Sequence, residues 1–209
     1  MKYLYLHGFA SSPRSYKAQY MRQKFQEIGL ELDVPDLNLA DFATVTLSAQ
    51  LEFLSQNYLS QNEPVTIIGS SLGGFLAVLL AAQQDLVTKL VLFAPAFGFS
   101  DRLVQKLGLE GIKLWQSQGS REFWHYGFNR NINLHYQFFS DAQKYSENNL
   151  TRSLPTLIFH GIYDDVIPFA TSQEFSKERS QVILTPLEDD HALGKYPEMM
   201  WQQIQEFIG

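Results

Sequence analysis

The stretch Gly69-Ser70-Ser71-Leu72-Gly73 puts one serine, Ser71, at the centre of a G-x-S-x-G pattern, with Ser70 as its neighbour. It closes the apolar run "PVTIIGS" and opens the apolar helical run "LGGFLAVLLAA". A strand, a sharp turn and a helix in that order would lift the Ser71 hydroxyl out of the backbone at a helix N-terminus. The flanking glycines leave room where side chains would collide. A serine hydroxyl is a weak nucleophile at neutral pH, so chemistry at Ser71 needs a base, itself oriented by an acid.

On a turn of this kind the partners are expected in the order Ser, then Asp or Glu, then His. His191, in "LEDDHAL", follows the last strand-like run and precedes the last helical stripe, where a loop can swing an imidazole toward Ser71. His160, in "FHGIYDD", comes before the acid in the chain and is expected to be structural. Asp189 and Asp190 lie too close in sequence to His191 to reach its far ring nitrogen, and are expected to shape or solvate that loop. Asp164 and Asp165 follow "PTLIF" and precede Ile167-Pro168, which sets one of them at the carboxyl edge of a sheet; spacing does not separate the two. His125 and His135 are expected to pack or to face solvent. A tetrahedral intermediate at Ser71 also needs two backbone N–H donors. Leu72, next to the serine, is one; Phe9, in the "LHGF" that ends the first apolar run, is the expected second, with His7 holding that loop by hydrogen bonding.

The elements that must carry these residues show as short apolar runs of strand length at Tyr3 to Leu6, Leu30 to Val34, Val65 to Ile68, Leu90 to Phe93, Leu157 to Phe159 and Val182 to Leu184. Continuous apolar runs suit strands buried on both faces of a parallel sheet. Between them Ala18, Met21, Phe25 and Ile28 share a helical face closed by Gly29, and Leu47, Leu51, Leu54 and Tyr58 share another. Met200, Ile204, Phe207 and Ile208 form a third, with Pro197 where a first turn tolerates it. Strand alternating with helix predicts an α/β fold: a mainly parallel sheet of about six strands with helices on both faces. Ligands of such sheets gather beyond the carboxyl ends of the strands, where Ser71, one of Asp164 and Asp165, and His191 fall.

From about 96 to 150 the alternation stops and aromatic residues crowd together. A stretch that long is too much for a passive loop, so it reads as an inserted helical cap, the whole 1–209 forming a single domain. Its rings either roof the site or form only the cap's own core.

A net charge of -6 with no lysine and arginine stripe disfavours nucleic acid as a partner, and the absence of cysteine excludes disulfides, zinc-thiolate sites and a thiol nucleophile. The opening apolar run is too short for a signal peptide and no stretch reaches membrane-span length, so a soluble cytoplasmic protein is expected.

Taken together, "YLHGFASSPRSYKA", "GSSLGG" and the late "DHA" resemble the α/β-hydrolase superfamily, and within it the small bacterial esterases of the YqiA/YcfP group. The superfamily's H-G-x-x-D-x-x-x-P pattern matches His160 to Pro168, and this resemblance carries the acid role to Asp164 rather than Asp165. It further implies Ser71 as nucleophile, His191 as general base and acid, Phe9 and Leu72 as the oxyanion hole, and neither metal nor organic cofactor. Against the superfamily's full pattern, the two leading antiparallel strands are expected to be missing, since the sequence opens on the run bearing "HGF". The expected activity is cleavage of a small carboxylic ester or thioester through an acyl-Ser71 intermediate. A lyase, a peptidase, a carbon-carbon hydrolase or a binding protein that kept the fold are the alternatives.

Overall fold

The structure, a computed structural model, describes residues 1–59, 62–177 and 179–209. In chain order these form β1 (Lys2–Leu6), α1 (Tyr16–Glu27), a 3-10 turn at Phe42–Thr44, α2 (Leu47–Tyr58), β2 (Val65–Ser70), α3 (Leu72–Gln83) and β3 (Val87–Phe93). An insertion follows, with α4 (Phe99–Gln118), β4 (Ser120–His125), β5 (Arg130–His135) and α5 (Gln137–Ala142). The chain then closes with β6 (Thr156–Gly161), α6 (Ala170–Lys177), β7 (Val182–Leu187) and α7 (Pro197–Ile208).

Five strands make a fully parallel sheet in the order β1-β2-β3-β6-β7. The run at 30–34, expected as a sixth strand, lies along the free edge of β1 but forms a single bridge, Leu4 to Asp33. Pro35 follows at once; it lacks an N–H and restricts Val34, so the ladder cannot extend.

Because successive strand side chains point to opposite faces, Tyr3 and Tyr5 join one core and Leu4 and Leu6 the other. Ala18, Met21 and Phe25 of α1 and Met200, Trp201, Ile204 and Ile208 of α7 cover the first face. Helices α2, α3 and α6 cover the second. The stripe read for α1 stops at Phe25: Ile28 caps the helix and is exposed. Helix α3 is buried from Leu72 through Ala81, which is why its sequence is apolar all round rather than striped.

The insertion is not purely helical, as its sequence had suggested. β4 and β5 form an antiparallel hairpin pairing Ser120 with His135 and His125 with Arg130. The signal for it was the alternation of Ile132 and Leu134, turned inward, with exposed Asn131, Asn133 and His135, after a turn holding Gly127 and Asn129. The core of the insertion, built on Trp115, Leu134, Phe138 and Phe139, is continuous with the α2 and α3 face of the sheet. Among the described residues no helix is long and apolar enough to cross a membrane.

A buried carboxylate latches the insertion to α2. Asp141 accepts from the Ser48 backbone N–H (2.7 Å) and hydroxyl (2.7 Å), and from Lys144 Nζ (2.8 Å). Burial works against its charge, but the hydrogen bonds from Lys144 and Ser48 outweigh it and hold the carboxyl below its ordinary value. A depressed carboxylate adds stability above the unfolded-state pKa of about 3.9 and gives it up as pH falls through the lower folded value. Asp141→Ala is expected to cost about 1 to 3 kcal/mol near neutrality. The gap from wild type should narrow as the acid range is entered, as read by urea unfolding at a series of pH values.

Candidate active site

Ser71 stands between β2 and α3 with φ 54° and ψ -118°, a left-handed conformation that costs a side-chain-bearing residue of order 1 to 3 kcal/mol. Its carbonyl accepts from Gly74 N (2.9 Å), Ala96 N (3.1 Å) and Phe75 N (3.2 Å), and its own N–H donates to Phe93 O (2.9 Å). Two glycines make the turn possible. A Cβ on Gly73 would strike the Leu6 carbonyl of β1, and one on Gly69 would strike the Gly73 carbonyl. The hydroxyl is therefore presented at the carboxyl edge of the sheet and at the N-terminal end of α3.

His191 arrives on the loop after β7. Its Nδ1 donates to Asp164 Oδ2 (2.7 Å), which leaves Nε2 as the acceptor facing Ser71 Oγ (3.1 Å). Asp164, at the end of the turn after β6, accepts through Oδ1 from the N–H groups of Val166 (2.9 Å) and Ile167 (2.7 Å). Burial would raise its pKa, but hydrogen bonds from His160, His191 and Ile167 prevail and hold it well below the carboxylate range. The neighbouring Asp165 is exposed and makes none of these contacts. His160 is fully buried: Nε2–H donates to Ile167 O (2.9 Å) and approaches Asp164 Oδ2 (3.3 Å), and Nδ1 accepts from the Ser172 hydroxyl (2.7 Å).

The acidic pair beside His191 is built into its loop. Buried Asp189 accepts from Asp190 N (2.9 Å) and Lys195 N (2.8 Å), and Asp190 accepts from Ala192 N (2.9 Å). Gly161 lets β6 pass beneath, since a Cβ there would strike the Asp189 carbonyl.

On the other side of Ser71, His7 Nδ1 donates to Gly8 O (2.9 Å) while Nε2 accepts from Leu37 N (3.0 Å). Gly8 lies against the serine; a Cβ there would sit 3.4 Å from Ser71 Cβ. Among the described residues neither the Phe9 nor the Leu72 N–H has a hydrogen-bond partner. The Phe9 ring sits among Phe138 (centroids 5.3 Å apart), Phe42 (5.5 Å), Phe123 (5.5 Å) and Phe99 (6.5 Å), so the insertion's aromatic core grips this loop. His125, in the hairpin, is buried and its Nε2–H donates to Asn38 Oδ1 (2.9 Å), with Nδ1 accepting from Phe128 N (3.1 Å); His135 is exposed.

The family described as an uncharacterised protein family, UPF0227, matches residues 2–209. The chain belongs to UPF0227. No curated protein matches this UPF0227 chain. Among solved structures it is similar to Est1E from Butyrivibrio proteoclasticus with ferulic acid bound, at TM-score 0.81 and 22% identity over 99% of this chain and 87% of that one. Mouse alpha/beta hydrolase domain-containing protein 10 follows at TM-score 0.78 and 19% identity over 99% and 89%. The Pyrococcus furiosus esterase Pf2001 follows at 0.67 and 19% over 99% and 80%. The fold is that of the α/β hydrolases.

In this UPF0227 chain Ser71 and His191 open on a cavity of about 660 Å³ whose walls include Tyr5, Phe9, Tyr16, Lys17 and Tyr126. Of the crowded aromatic residues at 96–150, Tyr126 alone lines it among the described residues. Phe97, Phe99, Trp115, Phe138 and Phe139 are buried in the core instead. The apolar roof allowed by the sequence is thus mostly the insertion's own packing. Lys17, which carries no local signal in the sequence, reaches the cavity from the first turn of α1; its hydrogen-bond acceptor, Ala192, and the carboxylates that act on it all come from the far end of the chain. Among the described residues no group of three or more His, Asp or Glu side chains is arranged to hold a metal ion.

The close approach at Gly73 has a direct consequence for stability. Gly73→Ala must displace the backbone of β1 or of α3, and overpacking of this kind costs about 1 to 3 kcal/mol. The expected result is a lower urea midpoint at an unchanged slope, whereas the exposed Gly194, with nothing near its missing Cβ, should accept alanine with little change.

Proposed function

We propose that the protein is a serine hydrolase that cleaves carboxylic esters or thioesters through an acyl-Ser71 intermediate. One observation carries the reading: the unbroken chain from Ser71 Oγ to His191 Nε2 (3.1 Å) and from His191 Nδ1 to Asp164 Oδ2 (2.7 Å), with Ser71 and His191 lining an open cavity and the N–H groups of Phe9 and Leu72 without a partner among the described residues. The esterases and hydrolases that share the fold support the reaction class.

In this scheme the Ser71 hydroxyl passes its proton to His191 Nε2 as Oγ attacks the substrate carbonyl carbon. The oxygen of the resulting tetrahedral adduct accepts from the N–H groups of Phe9 and Leu72, each worth roughly 3 kcal/mol of transition-state stabilisation. Asp164 keeps its charge throughout and stabilises the imidazolium without taking its proton. His191 then returns the proton to the departing alcohol or thiol, leaving the acyl group on Ser71. Water enters, gives its proton to the same nitrogen and attacks the acyl carbon; the acid leaves and Ser71 regains its hydrogen.

Cavity residues bear charges of both signs, Lys17 and Lys106 against Asp165 and Asp190, which suits a neutral ester better than a strongly charged one. The ferulic acid held by Est1E places aryl acyl esters beside short alkyl ones in the substrate panel. The reaction is placed in the cytoplasm as part of this proposal.

Fluorophosphonate labelling with intact-mass and peptide mapping tests the reading. One stoichiometric adduct is expected on Ser71, retained in Ser70→Ala and absent in Ser71→Ala. His191→Ala should slow labelling about a hundred- to ten-thousandfold, and Asp164→Asn about a thousandfold or more, while Asp165→Asn stays near wild type. An adduct that survives Ser71→Ala, or none in wild type, sinks the proposal and favours a binding protein of the same fold.

A further inference from the structure

The scheme above leaves unused a half-buried cation in the wall of the cavity. Lys17 lies in the first turn of α1, where the helix macrodipole disfavours positive charge, so its position is not explained by the helix that carries it. Its Nζ donates to the carbonyl of Ala192 (2.6 Å), the residue after His191. Among the described residues this is the one hydrogen bond from α1 to the 188–195 loop. The ammonium also stands over the Phe93 ring, 5.8 Å from its centroid, and so touches the strand whose carbonyl holds the Ser71 N–H. The charged groups that face it are Asp189 and Asp190 from the loop after β7 and Asp164 from the turn after β6, with His191 between them in the same loop.

Among the described residues the other hydrogen bonds of the His191 loop run elsewhere. Asp189 and Asp190 fold the loop on itself, and Tyr163 N donates to Asp189 O (3.1 Å) from the β6 side. Asp164 holds the imidazole from the turn after β6. Leu193 follows at φ 52°, a left-handed residue whose conformation must be enforced by its surroundings. Buried Leu193 packs in the core that α1 and α7 cover, and Lys17 adds the hydrogen bond from that side.

We infer that Lys17 is a positioning residue for the reaction proposed above: its ammonium, donated to the Ala192 carbonyl, holds the His191 loop against α1 so that His191 Nε2 stays within reach of Ser71 Oγ. The role rests on the reading of Ser71 and His191 as the reacting pair. Burial lowers the Lys17 pKa to about 8, although Asp189, Asp164 and Asp190 each act to raise it. The sign follows: the charged clamp is intact below that value and loses its attraction to the three carboxylates as pH rises through it.

Two measurements on wild type, Lys17→Met and Lys17→Arg test this, with thermal melting to confirm that each variant is folded. The first is the rate of fluorophosphonate labelling at Ser71 from neutral to alkaline pH. Wild type should show a fall in rate on the alkaline side of about 8. Lys17→Met should label about tenfold more slowly or worse, since misplacing a reacting group by an ångström can cost about a hundredfold, and should lose that alkaline fall. Lys17→Arg, whose charge does not titrate there, should keep most of the rate and carry the fall to higher pH. The second is deuterium exchange of the 188–195 backbone, corrected for intrinsic rate. Protection should drop in wild type on the alkaline side, be low in Lys17→Met already at neutral pH, and persist in Lys17→Arg.

A Lys17→Met protein that labels at the wild-type rate with the same pH profile overturns the inference. A wild type that takes no adduct overturns the hydrolase reading itself. The exchange measurement needs no reaction and keeps the two failures apart: unchanged protection in Lys17→Met defeats the clamp, and lost protection upholds it.

Discussion

A residue with a side chain is uncomfortable at φ 54°, and Ser71 is held there by everything around it. Its carbonyl accepts three N–H groups, its N–H is committed to Phe93, and the two glycines let β1, β2 and α3 converge to backbone contact. The sheet order, the burial of α3 on all sides and the approach of Gly8 to the serine each follow from that convergence. Strain at this one residue persists because the buried strands and α3 that meet there hold it from the backbone side.

The second half of the site is arranged by hydrogen-bond saturation rather than by strain. Asp164 accepts from two backbone N–H groups through one oxygen and faces two imidazoles through the other. With its acceptors filled it has one orientation, and so does the imidazole of His191. His160 approaches the same oxygen of Asp164 that His191 binds, with Ser172 and Ile167 fixing its own tautomer.

Much of this was legible in sequence where chemistry and local geometry coincide. Glycines flanking a serine between an apolar strand and an apolar helix carry their own reason, and so does a histidine between the last strand and the last helix. Asp164 and Asp165 were indistinguishable by spacing because they differ only in which one the turn directs inward; the resemblance to a known pattern favoured Asp164, and in the structure Asp164 is the one bonded to His191. The edge run at 30–34 misled because apolar content reports burial, not pairing, and Pro35 cancels the pairing. The hairpin was masked by aromatic residues that drew attention to bulk instead of alternation. Lys17 was invisible because its partners meet it only through the fold.

The Phe9 loop draws its order from rings that the cavity never touches. Phe42, Phe99, Phe123 and Phe138 come from the 3-10 turn, α4, β4 and α5, and all meet on the one side chain whose backbone N–H is proposed as an oxyanion donor. In the proposed reaction that N–H must already be aimed when negative charge appears, because a dipole that has to turn first stabilises less. In that reaction preorganisation is supplied by dispersion contacts from the insertion and the 3-10 turn, and sequence drift in those remote rings would register as a change in rate before it registered as a change in what the cavity binds.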